Sequence, residues 1–189
     1  MTAPPRRAYG ELDREQVVAA LLDLARRVGV QRVTMRELAA ELGAATPSVY
    51  YHVRGKQAAL DLLAESVLST IDEPAPGPWD ERLVALYTQS RRVLLDVPGI
   101  AAVLQTNGDG ECARRLDGLS RALIAESRLT KTVASAAHTV LFTYLLGSVS
   151  LEESRPQAVP TPTERQAASR FRAGLAVIVS GIQASVEAR

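Results

Sequence analysis

TMRELAAELGAATPSVYYHVRGK, residues 34–56, reads as two short helices joined by a sharp turn. Thr34 and Glu37 form a Thr-x-x-Glu capping box, so one helix starts at Met35 and lays Leu38, Ala39 and Leu42 along a single apolar face. Gly43 stops it. Thr46 then caps a second helix with Pro47 at its first helical position, where the missing N–H costs nothing. On that second helix only Val49 and Val53 face inward, while Thr46, Ser48, Tyr50, Tyr51 and His52 face out and Arg54 and Lys56 follow. A helix this small builds no core of its own. Its neighbours must hold it, and its outer face is left for something else.

That is the geometry of a helix-turn-helix DNA reader. Hydroxyls on Thr34, Ser48, Tyr50 and Tyr51, with the Lys56 ammonium, are donors suited to phosphate oxygens, and Arg36 is long enough for a bidentate contact to a guanine edge. The same pattern also fits a generic helical hairpin with a solvated polar face.

Over a longer window, VTMRELAAELGAATPSVYYHVRGKQAALDLLA resembles the DNA-binding domain of the TetR-type transcriptional repressors, in the subgroup near the tetracycline repressor. The likeness is specific over about residues 13–71 and weak beyond them. It implies base contacts from Arg36, Thr46, Pro47 and Ser48. It implies backbone contacts from Thr34, Tyr50, Tyr51, His52 and Lys56, together with a homodimer and a small-molecule effector.

Charge is distributed as such a head requires. Residues 1–60 hold nine Lys/Arg against six Asp/Glu, a balance of +3, and the remaining chain holds thirteen against fifteen, or −2. A single cysteine, Cys112, excludes an intramolecular disulfide framework and a Cys-cluster metal site, which suits a reduced, cytoplasmic setting. MTAPPRRAYGEL has no apolar run behind its arginines and reads as neither a signal nor a transit segment.

Apolar spacing predicts an all-α chain of about nine helices. Residues 1–12 form a flexible arm in which Pro4 and Pro5 oppose helix and leave Arg6 and Arg7 free to reach a groove or backbone. Residues 13–55 form the three-helix head, with Val17, Leu21, Leu24 and Val28 striping the first helix, and residues 56–72 a connecting helix. EPAPGPW then breaks the chain, and residues 79–189 form the body. Inside the body, Thr163 and Gln166 make a second capping box ahead of the last helix. That helix offers one face of Phe171, Leu175, Ile178 and Ile182, and another of Ala173, Gly181 and Ala184. Pairing the last two long helices with their copies in a second chain gives a four-helix interface. Val133–Leu151 carries no charged residue, yet without a second span or a basic flank it reads as a buried bundle helix and not as a membrane span.

Effector candidates are polar groups set among apolar ones: Gln89, Gln105, Asn107, His138 and Tyr144, beside Phe142. Such a lining suits a flat, mainly hydrophobic molecule, and for His138 a hydrogen-bonded core role competes. The tetracycline repressors supply a histidine near the short sixth helix to hold magnesium, whereas Ile100 to Asn107 offers none, so no metal site and no cofactor are expected. One Cys and two His, with no Gly-rich phosphate loop, leave little for an enzyme. A helical module that sequesters small molecules behind an inactive head is the remaining alternative.

Overall fold

The computed structural model describes residues 12–106, 109–154 and 162–187, and every regular element among them is helical. The arm carrying Arg6 and Arg7, Asn107, and most of the Pro-rich stretch before the last helix lie outside the described residues. The helices are α1 (Arg14–Val28), α2 (Met35–Glu41), α3 (Thr46–His52), α4 (Lys56–Ser69), α5 (Trp79–Leu95), α6 (Ile100–Thr106), α7 (Glu111–Glu126), α8 (Lys131–Glu153) and α9 (Glu164–Glu187). A 3-10 turn over Val30–Arg32, which the apolar pattern does not signal, joins α1 to α2.

Local chemistry sets the ends of these elements. The Asp13 carboxylate accepts the Gln16 N–H at 2.7 Å to open α1. Thr34 accepts the Glu37 N–H at 3.2 Å and donates a hydrogen bond from its hydroxyl to the Glu37 carboxylate at 2.9 Å. Gly43 stands at φ +62°. Its N–H donates to Ala40 and that of Ala44 to Ala39, the paired bonds of a Schellman cap, which fixes the turn between α2 and α3. Ala45, and not Thr46, is the cap residue of α3: Thr46 is already the first helical residue, which moves Pro47 to the second position. The box of Thr163 and Gln166 closes reciprocally, with bonds of 2.9 and 3.3 Å.

One buried apolar cluster runs from Val17 to Ile182 without dividing at the Pro-rich 73–79 segment. The reason is α4. It packs on α1 along one side and on α5, α6 and α7 along the other, with Ala59 and Leu63 fully buried between them. Burying a leucine this way contributes about 1.5–3 kcal/mol, so the connecting helix is welded to both ends of the molecule. In the body α5 is central and touches α7, α8 and α9.

A polar seam ties head to body beside that weld. Val30 N–H donates to Pro98 O at 2.9 Å, Arg26 pairs with Asp96 at 2.6 Å, and Gly99 N–H donates to Glu153 at 3.0 Å. Burial pushes the Glu153 carboxyl above its usual range, and the Gly99 N–H works the other way. Nearby, the buried Arg91 guanidinium holds Glu152 through two bonds of 3.0 and 2.6 Å and Glu164 at 3.0 Å, joining α5, α8 and α9 over the Phe171 ring. Burial opposes that charge, but the two carboxylates outweigh it and raise the Arg91 pKa.

By length and composition α8 is the single described helix apolar enough to cross a bilayer. Its inner face, including Leu141, Leu145 and Val149, is buried in the chain's own core.

Candidate nucleic-acid interface and ligand cavity

In the head, α3 is held by Val49, fully buried, and Val53 at its end, while Leu38 and Leu42 of α2 close the cluster beneath. Arg27 on α1 pairs with Glu41 on α2, bracing the first helix against the second. With the underside fixed, the outer face has nowhere to turn. Tyr51 is 80% exposed and Tyr50 48%, unusual for aromatic side chains unless something is meant to cover them. The His52 ring meets Tyr51 edge-on at 5.3 Å. Pro47 and Arg36 are exposed, and Thr46 and Ser48 half-buried. Lys56 donates to Gln31 O at 3.2 Å, which anchors the start of α4 and leaves ammonium protons directed outward. Thr34, by contrast, directs its hydroxyl hydrogen to the Glu37 carboxylate.

The body forms an open-mouthed cavity of about 510 Å³ between α4, α5, α6, α7 and α8. Leu68, Ile71, Leu86, Leu94, Leu104 and Leu145 supply much of its apolar lining, with Phe142 over one side. One wall is polar and forms a continuous chain. Tyr87 Oη lies 2.9 Å from Ser120 Oγ, Ser120 Oγ lies 3.1 Å from His138 Nδ1, and His138 Nε2 lies 2.7 Å from Asp117 Oδ1. Arg121 Nε donates to the other Asp117 oxygen at 2.8 Å.

The protonation states follow from these contacts. Arg121, and to a lesser extent His138, hold the Asp117 carboxyl below its usual value, so it is ionised. Burial, then the Arg121 charge, push His138 below its usual value, so the imidazole is neutral at pH 7 although it touches a carboxylate. Burial pushes the Tyr87 phenol up to about 12.

Of the residues singled out from sequence, the structure brings His138 and Phe142 to this cavity, their rings parallel at 6.4 Å. Three others lie off it. Tyr144 stacks on Phe171 at 5.1 Å and donates to the Phe171 carbonyl at 3.1 Å. Gly174 is what makes room for that ring, since a Cβ there would sit 2.0 Å from the Tyr144 hydroxyl. Gln89 turns to Asp72 because the cavity side of α5 carries Leu86, Tyr87, Ser90 and Leu94. Gln105 is exposed, one residue beyond the buried Val103 and Leu104 of α6.

The family model described as "Bacterial regulatory proteins, tetR family" matches residues 17–63, the head and the start of α4. An HTH-type transcriptional regulator of Saccharopolyspora erythraea is 34% identical over 146 residues, 75% of this chain and 61% of that protein. The head is that of the tetR family. The class D tetracycline repressor of Escherichia coli is 39% identical over 88 residues, 44% of this chain and 40% of the repressor. Among solved structures, Mycobacterium smegmatis BioQ superposes with a TM-score of 0.80 at 26% identity, covering 93% of this chain and 99% of that one. The chain spans about three fifths of the first relative's length and two fifths of the second's.

What the sequence reading of this chain, with its tetR-family head, missed is the polar wall itself. Tyr87 counts as an apolar residue in the α5 stripe, and Ser120 sits among Leu116, Leu119 and Leu123 on α7. A faint signal exists: Asp117, Ser120 and Arg121 fall at i, i+3 and i+4 and so share one helical face. Nothing local shows that His138 arrives opposite them.

Proposed function

We propose that this chain is a cytoplasmic, dimeric DNA-binding transcription regulator, a repressor released from a palindromic operator by a small, largely hydrophobic molecule. The observation that carries the reading is the exposed aromatic and hydroxyl face of α3 over a fully buried Val49. BioQ, at 25% identity, has been solved with its double-stranded DNA operator. DrrR1 of Streptomyces coeruleorubidus, a transcriptional repressor, is 30% identical over 151 residues. Both support a reader in the head.

In this reading Arg36, Thr46, Pro47 and Ser48 meet base edges, and Thr34, Tyr50, Tyr51, His52 and Lys56 meet the backbone. Because the Thr34 proton is committed to Glu37, Thr34 serves mainly by starting α2 at the right angle. A second copy covers the exposed Val140, Leu151 and Val177 of α8 and α9 and places the two α3 helices about 34–36 Å apart, one duplex turn. The effector occupies the body cavity. It touches Leu68 and Ile71 beside the helix that packs on α1, so a ligand preferring one setting of α4 changes DNA affinity by its differential affinity for the two settings.

Selection of genomic fragments by the purified chain at moderate salt tests this. A shared palindrome whose binding weakens steeply as salt rises is the expected result. No shared motif, even after refolding away from small molecules, overturns it in favour of a sequestering module.

A further inference from the structure

The hydrogens of the cavity wall can be placed by elimination. Asp117 is ionised and only accepts, so His138 Nε2, at 2.7 Å from it, must carry the hydrogen. The neutral ring then has a bare Nδ1, and Ser120 must donate to it across 3.1 Å. With the Ser120 hydrogen spent, the 2.9 Å contact from Tyr87 must be a donation by the phenol. Ser90, on the same wall, donates its hydrogen to Leu86 O at 2.8 Å. Every hydrogen in the row is therefore committed within the protein. What remains for a ligand is lone pairs on Tyr87, Ser90, Ser120 and Asp117. Among the described lining residues Arg114 is the one cation, and it is exposed and bonded to the Asp109 carbonyl.

We propose that the cavity selects an uncharged, flat apolar molecule carrying hydrogen-bond donors, such as a phenolic hydroxyl set opposite the row from Tyr87 to Asp117, and that it rejects carboxylates and molecules that only accept. This rests on the proposed role of the body as a ligand site. A wall of acceptors left facing a ligand without donors loses its hydration and regains nothing, which is how a polar site discriminates more sharply than an apolar one. The Phe142 ring, parallel to His138, supplies the flat apolar surface beside the row.

The test is equilibrium dialysis of the full chain at pH 7.5 with three probes of one shape: 2-naphthol, 2-acetylnaphthalene and 2-naphthoate. The expected order is naphthol tighter than the acetyl compound by about tenfold, and tighter than naphthoate by on the order of 100-fold. Equal binding of naphthol and the acetyl compound, or tight binding of naphthoate at Arg114, overturns the donor rule while leaving a ligand cavity standing. No binding of any probe overturns both. Ser120→Ala sharpens the result, because it frees the Tyr87 hydrogen as a donor and leaves His138 Nδ1 as a bare acceptor. The acetyl compound should then bind the variant about tenfold more tightly than it binds wild type, and naphthol, offered one more acceptor, should not weaken. An acetyl affinity unchanged in a folded Ser120→Ala chain contradicts the assignment, and the wild-type order stands as a test whether or not that variant folds.

Discussion

Among the described residues of α1, α2 and α3 every buried side chain is apolar, whereas α5, α7 and α8 bury Ser90, Arg91, Ser120 and His138. The two halves thus place their chemistry on opposite sides of their own surfaces. A head that presents Tyr50, Tyr51, Arg36 and Lys56 outward needs only a rigid, greasy interior to hold them at fixed angles. The body, proposed to take a molecule inside, buries polar groups along its cavity, and each buried polar group has to be satisfied or it costs stability. The contrast teaches where change is cheap: a substitution on the outside of the head leaves the core intact, whereas one among the buried polar groups of the body also costs stability.

Truncation is the harshest way to probe that contrast. Arg91→Ala removes the partner of Glu152 and Glu164 and should cost about 3–5 kcal/mol in urea denaturation, because a half-buried carboxylate is stranded. Its counterpart in the head, Leu38→Ala, leaves a void but no orphan charge and should cost about 2–5 kcal/mol. If the arginine variant costs less than about 1 kcal/mol, the body does not depend on its polar network as described.

Two glycines give a finer comparison. Gly43→Ala meets no atom within 4 Å, so its cost comes from φ +62° alone, roughly 1–2 kcal/mol by urea midpoint. Gly118, exposed within α7 and equally uncrowded, needs no such conformation, and Gly118→Ala should stabilise by about 0.5–1 kcal/mol.

The smallest expected effect is on pH dependence. The folded chain holds His138 below its ordinary 6.5, so the unfolded state takes up a proton that the folded state refuses. The His138 contribution to stability should therefore be flat above pH 7 and fall as pH drops below about 6.5. His138→Gln should lose that part of the slope between pH 7 and 5, measured as urea midpoints. A slope unchanged by the substitution would mean that the ring is not the buried neutral group described. The head, whose His52 is half-buried and rests on Tyr51, supplies no matching control of the cavity wall.

Legibility in the sequence divides along the same line. The head could be read because its function is local: Thr34, Gly43 and Val49 set helix ends and faces within a few residues of one another. Helix number and the main apolar stripes of the body were legible for the same reason, down to the cap at Thr163. The cavity was not, because its wall is assembled from residues far apart in the chain, Tyr87, Ser120 and His138, each of which looks at home in an apolar stripe. Polarity alone does not say that Gln89, Gln105 and Tyr144 lie off the cavity. A one-residue step turns a helical side chain by about 100°, so a polar group near the right place is easily on the wrong face. The Pro-rich 73–79 stretch interrupts the helices but not the core, since α4 packs on both sides.

The most direct measurement is the comparison of wild type with Arg36→Ala on the palindrome recovered by fragment selection. The substitution should leave the urea midpoint within about 0.5 kcal/mol. It should cost about 1–3 kcal/mol of discrimination at one matched base pair in each half-site. Discrimination retained at every position would contradict the account, because the exposed face of the head would then not be what reads the sequence.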